Sequence, residues 1–184
     1  RSFRLGANYY DSGLGDSAWL LHGLVRSMKP KVCVEIGSAR GKSTCHIAQA
    51  LRENLDGRLY AIDPHHATDW NDAGERDTLP ALRRNLRAMG GEAYVEIIRS
   101  GSAEAARRWK RPIDLLFIDG DHSYDACKAD IAAWAPFVKR GGVIAFHDFG
   151  SRADGVTRAI FEATKAGRFA EIVGVANTII AFRM

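Results

Sequence analysis

Val32-Cys33-Val34-Glu35-Ile36-Gly37-Ser38-Ala39-Arg40-Gly41-Lys42-Ser43-Thr44 decides the fold. Five residues, four of them apolar, run into a turn punctuated by Gly37 and Gly41. A helical pattern begins at once: Ile47, Leu51 and Leu55 recur every four residues, with Cys45 and Ala48 on adjoining positions. A short apolar run of this kind predicts a strand buried on both faces. Strand, tight turn and helix form the entry unit of a doubly wound α/β domain. Gly37 and Gly41 permit backbone angles and a close approach that a Cβ would block. The helix that follows aims its free N–H groups above the turn, so a ligand is expected at the carboxyl end of this strand.

Three ligand turns compete for this spacing. A P-loop resembles Gly41-Lys42-Ser43, but it needs a glycine where Ile36 stands, which leaves the loop one residue short. Leu115-Leu116-Phe117-Ile118-Asp119 would suit the acidic strand that partners a P-loop, so a phosphotransferase remains an alternative. A dinucleotide G-x-G-x-x-G needs glycines where Ala39 and Lys42 stand. A nucleoside turn of the form acid-x-G-x-G-x-G is met by Glu35, Gly37 and Gly41, with Ala39 in place of the middle glycine. That turn resembles the one in S-adenosylmethionine-dependent methyltransferases of Rossmann-like fold, whose ligand has no pyrophosphate to crowd the middle position.

The 184 residues are enough for one domain with a sizeable core, and residues 1–184 are read as one, with no appended domain. No run approaches ~20 apolar residues, so no transmembrane helix is expected. Arg1 to Asp16 is too polar to hold the apolar centre of a signal peptide, and a cytoplasmic location is expected. Cys33, Cys45 and Cys127 are odd in number and fall on buried-looking faces, which predicts free thiols rather than disulfides or metal ligands. The net charge is +4 and the sequence pI about 9.1. Arg83, Arg84 and Arg87 cluster, as do Arg107, Arg108, Lys110 and Arg111, but only Trp109 stands near them. Nucleic-acid binding wants stacking aromatics between such charges, so these are read as solvated helix faces, with no nucleic-acid partner.

Taken in order, residues 1–16 are irregular, with Gly13 and Gly15 around Leu14, and Asp16 is expected to cap a helix bearing Ala18, Leu21, Leu24, Val25 and Met28. Pro30 ends it. This N-terminal segment, residues 1–30, is expected to cover the sheet or the substrate entrance, or to pair with a second copy. Leu59 to Ile62 reads as the second strand, and Asp63 at its tip suits a ribose diol, because a carboxylate accepts from both hydroxyls. Pro64 to Asp77 is a long polar loop with His65, His66, Trp70 and Gly74, read as a lid or substrate loop; its adjacent histidines are read as surface residues. Leu79, Leu82, Leu86 and Met89 mark a helix with Pro80 in its first turn and Gly90-Gly91 at its end. Tyr94 to Ile98 is expected as the third strand. Gly101 and Ser102 follow, Ser102 as a helix cap, in a loop that would face the adenine of a nucleoside.

Ile113 to Ile118 is the fourth strand and ends in Asp119-Gly120-Asp121-His122-Ser123-Tyr124. The fifth, Gly142 to Phe146, ends in His147-Asp148. Between them a helix carries Cys127, Ile131, Trp134 and Val138 and halts near Pro136. With strands one, four and five side by side, Asp119, Asp121, His122, His147 and Asp148 converge at one edge, beside the ligand turn. A last helix bears Val156, Ile160 and Ala163. Two strands, Phe169–Val173 and Thr178–Phe182, close the chain around Gly174 and Asn177.

Val34 to Ser43, Asp63, Phe117 to Tyr124 and His147-Asp148 together resemble a family of small-molecule O-methyltransferases. It is the group of macrolide-sugar O-methyltransferases and cephalosporin hydroxylase-like proteins, and is more distantly similar to catechol O-methyltransferase. The resemblance runs from about Asp16 onward. It implies a Rossmann-like, seven-stranded, mostly parallel sheet with helices on both faces and the last strand antiparallel beside the fifth. It implies S-adenosyl-L-methionine bound through Glu35, Gly37, Ser38, Gly41, Asp63, Gly101, Ser102 and Asp119. It also implies a divalent ion, usually Mg²⁺, near the acceptor hydroxyl, with Asp119, His147 and Asp148 as ligands. His147 departs from the Asp of catechol methyltransferases, and imidazole is softer than Mg²⁺ prefers, so Asp121 could complete the shell instead. His122 falls where those enzymes place a catalytic lysine. With an unperturbed pKa near ~6.5 it would serve as the base.

The resulting expectation is methyl transfer to the hydroxyl of a small molecule, with Asp119 and His122 as the catalytic residues. Alternatives are a non-catalytic module binding S-adenosylmethionine or a nucleotide, and an iron oxygenase, whose facial triad normally sits in a β-sandwich that this strand–helix alternation does not suit.

Overall fold

The computed structural model describes residues 14–66, 77–150, 154–175 and 178–183. Helix α1 (Ser17–Met28) leads into β1 (Val32–Ile36), α2 (Lys42–Asn54) and β2 (Arg58–Asp63). Then come α3 (Leu79–Met89), β3 (Val95–Arg99), α4 (Ser102–Arg108), β4 (Ile113–Ile118) and α5 (Tyr124–Trp134). The chain continues through β5 (Val138–Phe146), α6 (Asp154–Lys165), β6 (Phe169–Val175) and β7 (Thr178–Arg183). The order across the sheet is β3-β2-β1-β4-β5-β7-β6. Strands β1 to β5 run parallel to their neighbours, and β7 pairs antiparallel with β5 and with β6.

Alternate residues of each strand feed two cores. Cys33, Leu59, Ala61, Leu115, Phe117, Val143 and Ala145 pack with α1, α2 and α3. Val34, Ile36, Tyr60, Ile62, Leu116, Ile118, Ile144 and Phe146 pack with α4, α5 and α6. This is a parallel Rossmann-like α/β sheet with helices on both faces, which is why its strands read as continuous apolar runs. Helix α1 lies along α2: Asn54 Nδ2 donates to the Val25 carbonyl at 2.9 Å, and the Trp19 and His46 rings meet edge to face at 4.8 Å. Cys33, Cys45 and Cys127 are buried free thiols. Among the described residues no helix is long and apolar enough to cross a membrane.

Several boundaries differ from the sequence expectation. Glu92–Tyr94 form a 3₁₀ turn, so β3 starts at Val95 rather than Tyr94. Helix α5 stops at Trp134, and Ala135–Phe137 turn in a 3₁₀ helix around Pro136, which has no N–H to continue the ladder. Val138 therefore opens β5 instead of closing the helix, and pairs with Ile113 ahead of the register shift that brings Val143 beside Leu115. The exposed Lys139-Arg140-Gly141 stretch hid this arm of the strand. Gly174 lies within β6 rather than in a turn. Asp16 stands at the N-cap of α1 without a side-chain cap bond. The expectations for Gly13, Trp70, Gly74 and Asn177 fall outside the described residues.

The tightest backbone contact joins the β1 turn to the β4 tip. Gly37 has φ +88, and a Cβ built on it would lie 2.1 Å from the Asp119 carbonyl oxygen. Both atoms belong to backbone, so no side chain can yield. Gly23, inside α1, has nothing within 4 Å. In urea denaturation, Gly37→Ala is expected to lose about 3 kcal/mol or more, whereas Gly23→Ala should gain roughly 0.5–1 kcal/mol.

Candidate functional site

Parallel register aligns the strand tips. Beyond the last paired residues the ladder continues: Gly37 N donates to Ile62 O at 2.9 Å, Asp119 N to Ile36 O at 2.9 Å, and His147 N to Ile118 O at 3.1 Å. Asp63, Gly37, Asp119 and His147 therefore end four adjacent strands in one row. After Asp119 the chain folds back through two short caps. Asp121 Oδ1 accepts from Ser123 N at 2.8 Å, and Ser123 Oγ accepts from Ala126 N at 3.3 Å to open α5. Gly155 of α6 braces this bend, since a Cβ there would meet Tyr124 N at 2.5 Å and His122 O at 2.8 Å.

The bend returns His122 to the row. His122 Nε2 is 3.0 Å from Asp148 Oδ2 and 3.8 Å from Asp119 Oδ1. His147 Nδ1 is 3.1 Å from Asp119 Oδ1 and 3.0 Å from Asp148 Oδ2. Two carboxylates thus alternate with two imidazoles. The neighbouring Asp119 and Asp148 carboxylates raise the His122 pKa to about 10. Burial pulls His147 down, but the same two carboxylates outweigh it and hold the ring at about 9. Burial would raise Asp148, but bonds from both histidines keep it well below the usual carboxylate range. Both imidazoles therefore carry a proton at neutral pH, and the unperturbed value expected for His122 does not apply in this arrangement. One ligand atom each from Asp119, His122 and Asp148 lies within 4.8 Å of the others, a spacing that could hold a metal ion. Asp121 is spent on the Ser123 cap rather than joining these three.

The β1 turn is built from left-handed residues: Gly37 at φ 88, Ala39 at 41 and Gly41 at 89. Asp63 reaches across to it, its Oδ2 accepting from Ala39 N at 2.8 Å and its Oδ1 from His65 N at 2.6 Å. Each carboxylate oxygen has a further lone pair for a ligand. Glu35, at the end of β1, has no exposure and accepts from Thr44 Oγ1 at 2.6 Å. Burial pushes its pKa up to about 8, against the neighbouring hydroxyls that favour its charge. Gly101, not Ser102, is the N-cap of α4, and Ser102 lies one residue inside the helix. The Ser102 hydroxyl instead donates to Asp130 Oδ1 and accepts from Trp134 Nε1 at 2.9 Å.

Two residues have roles the sequence did not suggest. His65 is fully buried rather than on the surface, with Nδ1 2.9 Å from Thr78 Oγ1. Arg99 accounts for its setting, bonding the Pro64 and His65 carbonyls and pairing with Asp77 at 3.2 Å. Asp130 is buried on α5, and its signal was present: an acid on the Cys127–Ile131–Trp134 apolar stripe.

Residues 34–149 match the family described as a methyltransferase domain. The chain belongs to that methyltransferase family. An uncharacterized protein of Sinorhizobium fredii is 29% identical over 150 residues, which are 76% of this chain and 16% of that protein. The chain therefore spans about a sixth of the length of the curated relative it matches. Its fold is similar to that of the SAH-bound methyltransferase PaMTH1 of Podospora anserina, with a TM-score of 0.76 and 14% identity over 97% of this chain and 81% of that one. It is also similar to an O-methyltransferase of Bacillus cereus in complex with SAH, at TM-score 0.73 and 17% identity over 97% and 84%. A third is the O-methyltransferase TomG of Streptomyces achromogenes in complex with SAM, at 0.70 and 18% over 91% and 79%.

In this methyltransferase, three buried polar atoms at the tips of β1 and β2 have no hydrogen-bond partner among the described residues: Glu35 Oε1, Ser38 Oγ and His65 Nε2. Each such atom is costly, by about 1–3 kcal/mol, until a ligand or water meets it. The Glu35 carboxyl has a measurable signature. The folded state binds its proton up to about pH 8, the unfolded chain only to about 4.5. Stability should therefore fall as pH rises between those values. Glu35→Gln is expected to remove this group's share of that slope in denaturant titrations at pH 5 and pH 8, leaving the variant on the order of a few kcal/mol ahead at the higher pH.

Proposed function

We propose that this methyltransferase moves the methyl group of S-adenosylmethionine to a hydroxyl of a small molecule. The observation that carries this is the row of strand tips, in which the glycine turn and Asp63 adjoin the Asp119–His122–His147–Asp148 cluster. The orphaned atoms Glu35 Oε1, Ser38 Oγ and His65 Nε2 fit a polar ligand at the turn. On this reading Gly37, Gly41, Gly101 and Ser102 would meet the ligand, and Asp63 would offer the ribose its spare lone pairs. The sulfonium supplies an electrophilic methyl, so the chain's own task is to place the acceptor oxygen in line and remove its proton.

His122 is the group assigned to take that proton, and Asp148 and Asp119 set how readily it does so. In its present pairing it is neutral only towards pH 10. Charged, it lowers the pKa of a nearby hydroxyl by stabilising the developing oxyanion. Asp119, His122 and Asp148 also fit a divalent ion; with it bound, His122 would be a ligand rather than the base, and the ion would polarise the acceptor hydroxyl in its place. Two carboxylates and an imidazole suit Mn²⁺, Co²⁺ or Zn²⁺ better than Mg²⁺. His147 stands outside that set of three.

Methyl transfer from S-adenosylmethionine to a library of hydroxyl compounds tests the assignment. Without added cation the rate should climb with pH towards about 10. His122→Ala and Asp119→Ala should each lower it about 100-fold or more, and His122→Ala should also abolish the climb. With an accepted compound, EDTA should reduce the rate and Mn²⁺ restore it better than Mg²⁺. Full activity in both variants would overturn the roles of these side chains. Tight S-adenosylmethionine binding with no turnover on any acceptor would favour a non-catalytic binding module.

A further inference from the structure

The basic run Arg107-Arg108-Trp109-Lys110-Arg111 plays no part in the strand-tip site, but the fold joins it to β2 and β3. Strand β3 is an edge of the sheet, and α4 above it has only 7 residues, so the face of β2 and β3 stays partly open. A groove of about 370 Å³ occupies that opening. Its floor is apolar: Tyr60, Ala105 and Trp109 are buried and Ile98 is half-buried. The Tyr60 and Trp109 rings meet edge to face at 4.9 Å. The groove runs from Arg99 and Ser100, at the tip of β3, to Lys110 and Arg111, which lead into β4. Asp119, His122, His147 and Asp148 do not line it.

Charge is uneven along this groove. Arg108 pairs with Glu104 at 2.9 Å, Arg99 with Asp77 at 3.2 Å, and Glu96 faces Arg58 at 3.9 Å. Among the described residues, Lys110 and Arg111 have no carboxylate partner. Arg111 is held in place by other means. It donates through Nη1 to the Tyr60 hydroxyl, its guanidinium carbon lies 5.2 Å from the centre of that ring, and its carbonyl accepts from Trp109 Nε1 at 2.6 Å. A guanidinium only donates, so the Tyr60 hydroxyl keeps its own proton for another acceptor. A guanidinium fixed in this way presents a fork that matches a planar carboxylate. Glu96 and Glu104 line the same groove, so a polyphosphate or a nucleic-acid backbone would meet like charge along its length. A single carboxylate at the Lys110–Arg111 end would not.

We propose that this groove is a second small-molecule site and takes an aromatic monocarboxylate. The ring system lies over Ile98, Ala105 and Trp109, and the carboxylate sits between Lys110 and Arg111. A space of this size suits a small fused ring system, with an apolar body and a few converging polar groups. The site stands apart from the methyl-transfer reading, because none of these residues belongs to the machinery assigned there.

Titration of the whole chain with 2-naphthoate, followed by calorimetry and by the Trp109 indole N–H resonance, tests this. The acid is expected to bind about 10-fold more tightly than the uncharged 2-naphthamide and to shift the Trp109 signal. Excess S-adenosylhomocysteine should not displace it. Arg111→Met should remove the preference for the acid. Lys110→Met, at an exposed position, should weaken the acid about threefold and leave the amide unchanged, and it decides the matter if Arg111→Met fails to fold. Absence of binding, or equal affinity of the native chain for acid and amide, would overturn the proposal. So would an unmoved Trp109 signal, displacement by S-adenosylhomocysteine, tighter binding of inorganic triphosphate than of naphthoate, or unchanged acid affinity in Lys110→Met.

Discussion

The rest of the site depends on how closely the β1 turn approaches the β4 tip. Gly37 lets its backbone press against the Asp119 carbonyl, where no Cβ fits. That contact continues the parallel ladder by one rung across the strand tips, from Ile62 to Gly37, from Ile36 to Asp119 and from Ile118 to His147. A parallel sheet places all its carboxyl ends on one edge, so a single rung brings chemistry from distant parts of the chain into a line. Residues 63, 119 and 147 are neighbours for this reason alone.

Charge then organises the line. Four ionisable side chains within a few ångströms would repel or desolvate ruinously if they shared a sign. Here the signs alternate. Asp119 and Asp148 each face two imidazoles, and each imidazole faces two carboxylates. The pairing holds protons on the histidines and strips them from Asp148. The same closure keeps Asp148 at φ +58, a conformation that costs a residue with a Cβ and persists because both histidines bind its carboxylate.

Strain and unmet polar groups gather at this edge. Of the five non-glycine residues with positive φ among the described residues, Lys29 and Leu55 end helices, where left-handed caps are ordinary. Ala39, His65 and Asp148 lie in the loops beyond strand tips. The three orphaned buried atoms lie beyond or at the tips of β1 and β2 as well. Folding alone does not favour such a concentration, and a site shaped for a polar ligand accounts for it. Glu35 and Asp130, two buried acids with raised pKa values, extend this pattern beneath the turn and behind the β4 loop.

The sequence by itself determined the α/β alternation, the glycine turn after β1 and the acids and histidines that end β2, β4 and β5. Those features are local: hydrophobic period, turn chemistry and residue type at a strand end can be read along the chain. The structure alone decided that His122 is clamped between two carboxylates, that Asp121 caps a turn instead of joining them, and that His65 is buried. It likewise decided that Ser102 bridges Asp130 and Trp134 rather than capping α4, and that Val138 begins a strand. Each of these depends on a partner many positions away, brought near by strand register and helix packing. A pattern of residue types carries no distance between side chains, and it is distance that assigns a proton to His122 and leaves an oxygen of Glu35 without a donor among the described residues.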